Sequence, residues 1–325
     1  MRNELIDCLK GLLIILVVVG HVIYDFDVNA YNNIIYKFCY SFHMFLFIGI
    51  SGYLIAHKKN DSKWLKKRFF RLIVPFVIWS CIIIYYFKLG SYFFMFTNPV
   101  LWYLVVLFCC DLLLCATNVL HKKKIVINII LIIIINLYCV TFPEHTCKTV
   151  KMLAIYYPFY FAGWTINRYK ININFEKIYT KSSFAILYPA SMIIYGLKDR
   201  NEASQYVYEI INFLGFDNWA DHARLIFLGN GGMIYNHLVV APLGCVFAYL
   251  LCKMFIRFKI VRNVLSFVGK YTLQIYVLSC FFVVYEFSNI ILNECMSILL
   301  GVAVPLIIGI IINKNKMLNK WLFGI

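Results

Sequence analysis

Met1–Tyr24, MRNELIDCLKGLLIILVVVGHVIY, decides the fold of this chain. Lys10 sits where the unbroken apolar run begins, and His21 lies eleven residues further along it. Eleven steps of about 100° end within roughly 20° of three full turns, so the two side chains share one face of a helix. They stand about 16 Å apart along its axis. An ionisable side chain that deep in an apolar helix marks a functional site by default. Glu4 and Asp7 spoil a basic leader and no small-residue cleavage site follows, so the stretch reads as an uncleaved first membrane span.

The rest of the chain agrees with a membrane reading. It is 62% hydrophobic and 14% charged, with a mean hydropathy of +0.78. Those values fall outside the range of soluble domains. The net charge of +16 raises the question of nucleic acid, but the basic residues lie in short segments between apolar runs. They read as topology signals and contacts to anionic headgroups, which argues against a nucleic-acid partner. The twelve cysteines form no CxxC pair and no metal-ligand spacing with histidine, so no metal site is expected. Cys147 and Cys295 alone approach the expected outer face, where a disulfide between them is conceivable.

Apolar runs long enough to span recur near 9–25, 36–57, 72–90, 99–120, 124–142, 152–168, 182–197, 232–256, 266–289 and 290–312. The expected fold class is therefore an all-α polytopic membrane protein of about ten transmembrane helices, both termini cytoplasmic. One membrane domain covers residues 1–325. With the N-terminus inside, all but seven of the 31 basic residues fall in or beside cytoplasmic segments, as the positive-inside rule demands. The outer side carries one long segment, about 197–231, whose Tyr206, Tyr208, Asn212 and Trp219 suit either sugar stacking or an interfacial aromatic belt.

Several polar groups sit at depth. His43 lies about 10 Å below the outer surface if the second span starts near Tyr36. His21 reaches a similar level, so both could face one cavity or serve as hydrogen-bonding glue between helices. Asp111, mid-way along the fourth span, could orient a histidine or pair with a basic group. Arg68 and Arg71 stand three residues apart on one helical face at the inner surface. They could grip phosphate or simply anchor the loop.

In combination these residues resemble the integral-membrane acyltransferase family 3, which includes sugar and polysaccharide O-acetylases. IDCLKGLLIILVVVGH (Ile6–His21) is similar to that family's first-helix signature, with Lys10 and His21 as its basic residue and histidine. FHMFLFIGISGYL (Phe42–Leu54) resembles its second-span block, and WLKKRFFRLIVPFVIWS (Trp64–Ser80) its Arg-x-x-Arg and proline block. LWYLVVLF, PFYFAGWTINR and VGKYTLQIYVLS are similar to later, weaker blocks. One departure matters: the late block often ends in histidine, whereas this chain reads Ile275-Tyr276-Val277-Leu278-Ser279.

The resemblance implies an O-acyltransferase of the bacterial inner (plasma) membrane. Acetyl-CoA would be the acyl donor, and a glycan or lipid-linked oligosaccharide, such as O-antigen or capsule or exopolysaccharide, the acceptor. No SGNH-type esterase domain follows, so the ten spans are expected to bind both substrates. Lys10, Arg68 and Arg71 would hold the donor's phosphates at the inner surface. His21 would act as general base on the acceptor hydroxyl, or less favourably as an acyl carrier. His43 or Tyr276 is the candidate donor to the oxyanion. The alternative is a transporter of polysaccharide or a small solute with proton-coupling histidines, although no inverted repeat is visible.

Overall fold

The computed structural model describes residues 3–27, 30, 33–59, 61–88, 101–117, 124–142, 145–171, 186–192, 236–283 and 288–324. These residues form helices, and no strand occurs among them. The outer segment expected at 197–231 lies outside the described residues, as does most of the span expected at 182–197.

The helices are α1 (Glu4–Phe26), α2 (Ile34–Ile55), α3 (Ser62–Tyr86), α4 (Trp102–Ala116), α5 (Lys124–Thr141) and α6 (Lys148–Arg168). A π-helical turn, Asn236–Val240, leads into α7 (Ala241–Phe255). The remainder are α8 (Lys259–Val268), α9 (Thr272–Leu278), α10 (Ile290–Asn313) and α11 (Lys316–Phe323). Asparagine or aspartate side chains start five of them. Asn3, Asn33, Asp61, Asn289 and Asn315 each accept from backbone N–H groups of the first turn, which would otherwise be orphaned.

Among the described residues five helices are long and apolar enough to cross a membrane, and a sixth crossing arises if α8 and α9 count as one bent span. Helix α6 is not among them because its tyrosines and its lysine, threonine, asparagine and arginine residues make it less apolar. Tyr157, Tyr160 and Trp164 are all buried against the bundle.

Two seams set the helix directions. Helices α2 and α6 run parallel, with Gly52 beside Tyr160 and Trp164, and Asn167 donating to the Tyr53 carbonyl at 2.7 Å. A Cβ on Gly52 would sit 2.0 Å from the Tyr160 carbonyl oxygen, and one on Gly163 would sit 2.0 Å from that of Gly49. Only glycine permits this approach, which is how membrane helices gain contact without a hydrophobic driving force. In the second seam Gly11 of α1 meets Leu265 and Gly269 at the end of α8, and the two helices are again parallel. Arg262 reaches Glu4 at 3.5 Å there. The end of the bundle where α1 starts and α2 stops gathers Lys10, Lys58, Arg68 and Arg71; we call it the basic end.

Three expectations need correction. The third helix starts at Ser62 rather than 72, because Asp61 caps it through the Trp64 N–H at 2.8 Å. The basic run is thus helical and carries Arg68 and Arg71 in its second and third turns. The ninth span is not continuous: α8 and α9 meet at an angle of 63° across Gly269–Tyr271. Cys147 and Cys295 are both free, so they form no disulfide.

Candidate active site

Helices α1, α2, α3, α4 and α9 enclose a cavity of about 210 Å³ at the basic end. Its polar lining comprises Lys10, Ser51, Lys58, Arg68, Arg71, Tyr103, Thr272 and Tyr276, and its apolar wall includes Ile14, Val17, Met44 and Phe47. Residues far apart in sequence therefore share one chamber. The structure brings together the three basic residues singled out from the sequence and adds Lys58, which charge patterning alone had assigned to topology.

The cations are not equivalent. Arg68 donates from Nε to Asp111 Oδ2 at 2.6 Å, and Tyr160 donates its hydroxyl to the other carboxylate oxygen. Asp111 is fully buried. It orients no histidine; it neutralises Arg68 and fixes that guanidinium against the cavity wall. Lys10 pairs with Asp7 at 3.0 Å one turn back along α1. Arg71 and Lys58 have no ion-pair partner among the described residues, which makes these two the least compensated cations in the lining. At Lys58, burial and then the charges of Arg71 and Arg68 lower the ammonium pKa from its ordinary value. Four cations against two carboxylates leave the chamber positive, which suits an anionic ligand.

Deeper in, the lining turns to hydroxyls. The first turn of α4 lies inside the bundle, with Leu101 fully buried, rather than at an outer surface. It places the Tyr103 hydroxyl 3.1 Å from Ser51 Oγ. The Tyr103 backbone N–H points to the Tyr276 hydroxyl at 3.4 Å, across the break that frees α9 to approach.

The histidines stand just past this chamber. Lining stops on α1 at Val17, one turn short of His21, and on α2 at Met44, next to His43. His43 is buried and packs edge-on against Tyr40, with ring centroids 4.9 Å apart. The Nδ1 of His43 bonds the Cys39 carbonyl. A carbonyl only accepts, so Nδ1 carries the proton and Nε2 keeps its lone pair. In the neutral ring Nε2 is then an acceptor. His21 makes no hydrogen bond to the described residues, so its ring is uncommitted.

Lys58 was missed as part of the site, and for Asp111 the pairing with a basic group was among the readings but not the identity of its partner. A carboxylate inside a span calls for a cation, and seven basic residues crowd Lys58–Arg71. That signal was present, but spacing does not say which of the seven it meets.

A family model described as an acyltransferase domain matches residues 3–314. The chain belongs to the acyltransferase 3 family. Family membership favours the acyltransferase reading over the transporter. Among curated proteins, the chain is 37% identical over 99 residues to nodulation protein NolL of Sinorhizobium fredii, covering 28% of this chain and 27% of that protein. It is 34% identical over 89 residues to nodulation protein NolL of Mesorhizobium japonicum, covering 25% and 24% respectively. The matched stretch thus spans about a quarter of each relative's length. No solved structure matches the acyltransferase.

Proposed function

We propose that this acyltransferase moves an acyl group, acetyl in the first instance, from cytoplasmic acyl-CoA to a hydroxyl of a cell-surface or lipid-linked glycan. The reading includes ten spans in one domain over residues 1–325, both termini cytoplasmic, in a bacterial plasma membrane. The observation that carries it is one positive chamber that begins among Lys10, Arg68 and Arg71 and ends one helical turn from His21.

Ligand sites for whole drug-sized molecules run to roughly 300–1,000 Å³. At about 210 Å³ the chamber suits the thin thioester arm of the donor, not its nucleotide. The basic residues hold phosphate at the mouth, and the arm carries the thioester carbonyl towards His21. His21 takes the proton of the acceptor hydroxyl as its oxygen attacks that carbonyl. The tetrahedral intermediate then collapses, the ester forms, and the CoA thiolate leaves and is protonated. Tyr103 and Tyr276 are the hydroxyls nearest the chamber's deep end and suit stabilisation of the oxyanion. His43, with Nε2 unprotonated, suits a proton-accepting role beside His21.

The test is transfer of radiolabel from acetyl-CoA to glycan in proteoliposomes of the purified protein. His21→Ala should abolish transfer while the protein stays folded in the bilayer. Normal glycan acetylation by a well-expressed His21→Ala variant would sink the assignment.

A further inference from the structure

A second cleft opens between α3 and α11, with a volume of about 370 Å³. Lys67, Arg71 and Lys320 line it, with Phe70 and Trp321, and no carboxylate is among its lining residues. Arg71 lines both this cleft and the inner chamber, so the two share a wall at a cation that has no ion-pair partner among the described residues.

The cleft is built rather than incidental. Trp79 of α3 donates its indole N–H to the Leu322 carbonyl at 2.7 Å. Phe323 is fully buried and stacks on Trp79, with centroids 5.8 Å apart. Gly324 closes α11 in the left-handed conformation at φ 64°, and a Cβ there would sit 2.4 Å from the Arg71 carbonyl oxygen. Helix α11 is therefore fastened to the backbone of Arg71 itself. Trp321 remains half exposed on the same helix, with no ring stacked on it among the described residues.

We propose that this cleft binds the phosphorylated adenosine end of the acyl donor, with the purine on Trp321 and phosphates on Lys67, Lys320 and Arg71. The proposal rests on the donor reading above. The inner chamber is too small for a whole nucleotide thioester, so the remainder must lie outside it, and Arg71 joins the chamber to this cleft. An unpartnered aromatic face among cations is the chemistry a purine phosphate needs. An anionic lipid headgroup offers phosphate to the same cations but has no ring for Trp321.

The experiment compares acetyl-CoA with acetyl-pantetheine, which lacks the nucleotide, in vesicles of phosphatidylcholine with and without phosphatidylglycerol. Lys320→Gln and Trp321→Leu should each lower the ratio of kcat/KM for acetyl-CoA to that for acetyl-pantetheine about tenfold, in both kinds of vesicle. Lys320→Arg should restore it. An unchanged ratio in both variants overturns the site. A loss seen only with phosphatidylglycerol present makes it a lipid headgroup site and overturns the nucleotide assignment. A second arm titrates CoA into the full-length protein in detergent. If wild type transfers nothing from acetyl-CoA, the donor reading falls, and the titration alone decides the cleft. Binding weakened tenfold by Lys320→Gln supports it, and unaltered or absent binding overturns it.

Discussion

Asp111 has both carboxylate oxygens occupied, one by Arg68 and one by Tyr160, and no water-accessible surface. Removing one partner of such a pair leaves a charge uncompensated, which costs about 3–5 kcal/mol. Asp111→Ala should therefore destabilise the protein by that order in a denaturation series. Asp111→Asn keeps the shape and releases Arg68, so it should raise the Michaelis constant for donor far more than it lowers kcat. A fall in kcat alone would show that Asp111 does not act through Arg68. Lys58 offers a pH test. Its pKa is lowered by burial and by its arginine neighbours, so its charge is present at low pH and lost sooner than for an ordinary lysine as pH rises. Donor binding should weaken as pH climbs through that lowered value, and Lys58→Arg should extend the plateau to higher pH. Lys10, Arg68 and Arg71, which line one chamber, were legible in the sequence because charge stands out in an apolar run. The Asp111–Arg68 pair was not, because it depends on how α3 crosses α4.

The helices themselves were largely legible, since long apolar runs have few alternatives in lipid. What spacing could not show was which way α6, expected over 152–168, turns its polar residues, or that a span breaks. Helix α6 is too polar to pass as a span on composition, yet it lies along α2 from Phe45 to Ala56. The break at Gly269–Tyr271 falls at Gly-Lys in SFVGKYTLQIY, but the sequence carries no angle, and packing on α1 reveals it. The α2–α6 seam yields a prediction. Gly52→Ala puts a Cβ 2.0 Å from a backbone oxygen, which cannot rotate away as a side chain would. Overpacking of that kind costs about 1–3 kcal/mol. Gly52→Ala should lower the thermal midpoint in detergent, whereas Gly49→Ala, whose nearest contact is 3.5 Å, should lower it less.

At the level of the whole molecule, the parallel pairs α1–α8 and α2–α6 constrain how many crossings separate them. Each pair requires an even number of passes from one partner to the other, and the proposed ten-span topology satisfies both. In a background without the native cysteines, single cysteines introduced at Ser204 and at the exposed Met317 should then react with an impermeant maleimide from opposite sides, Ser204 from outside. Labelling of both from one side would remove the topology. The α2–α6 seam has a further consequence, one of energy supply. Helix α2 carries His43 and Ser51, and it is locked to α6 through backbone contacts from Gly49 to Ala56. A pair so fastened moves as one body and offers no sliding step between its helices for an ion gradient to drive. The free energy that delivers an acyl group across the bilayer would come from the thioester alone. Acetylation in sealed vesicles should proceed undiminished after an uncoupler collapses every proton gradient, and a requirement for such a gradient would mean that the seam opens.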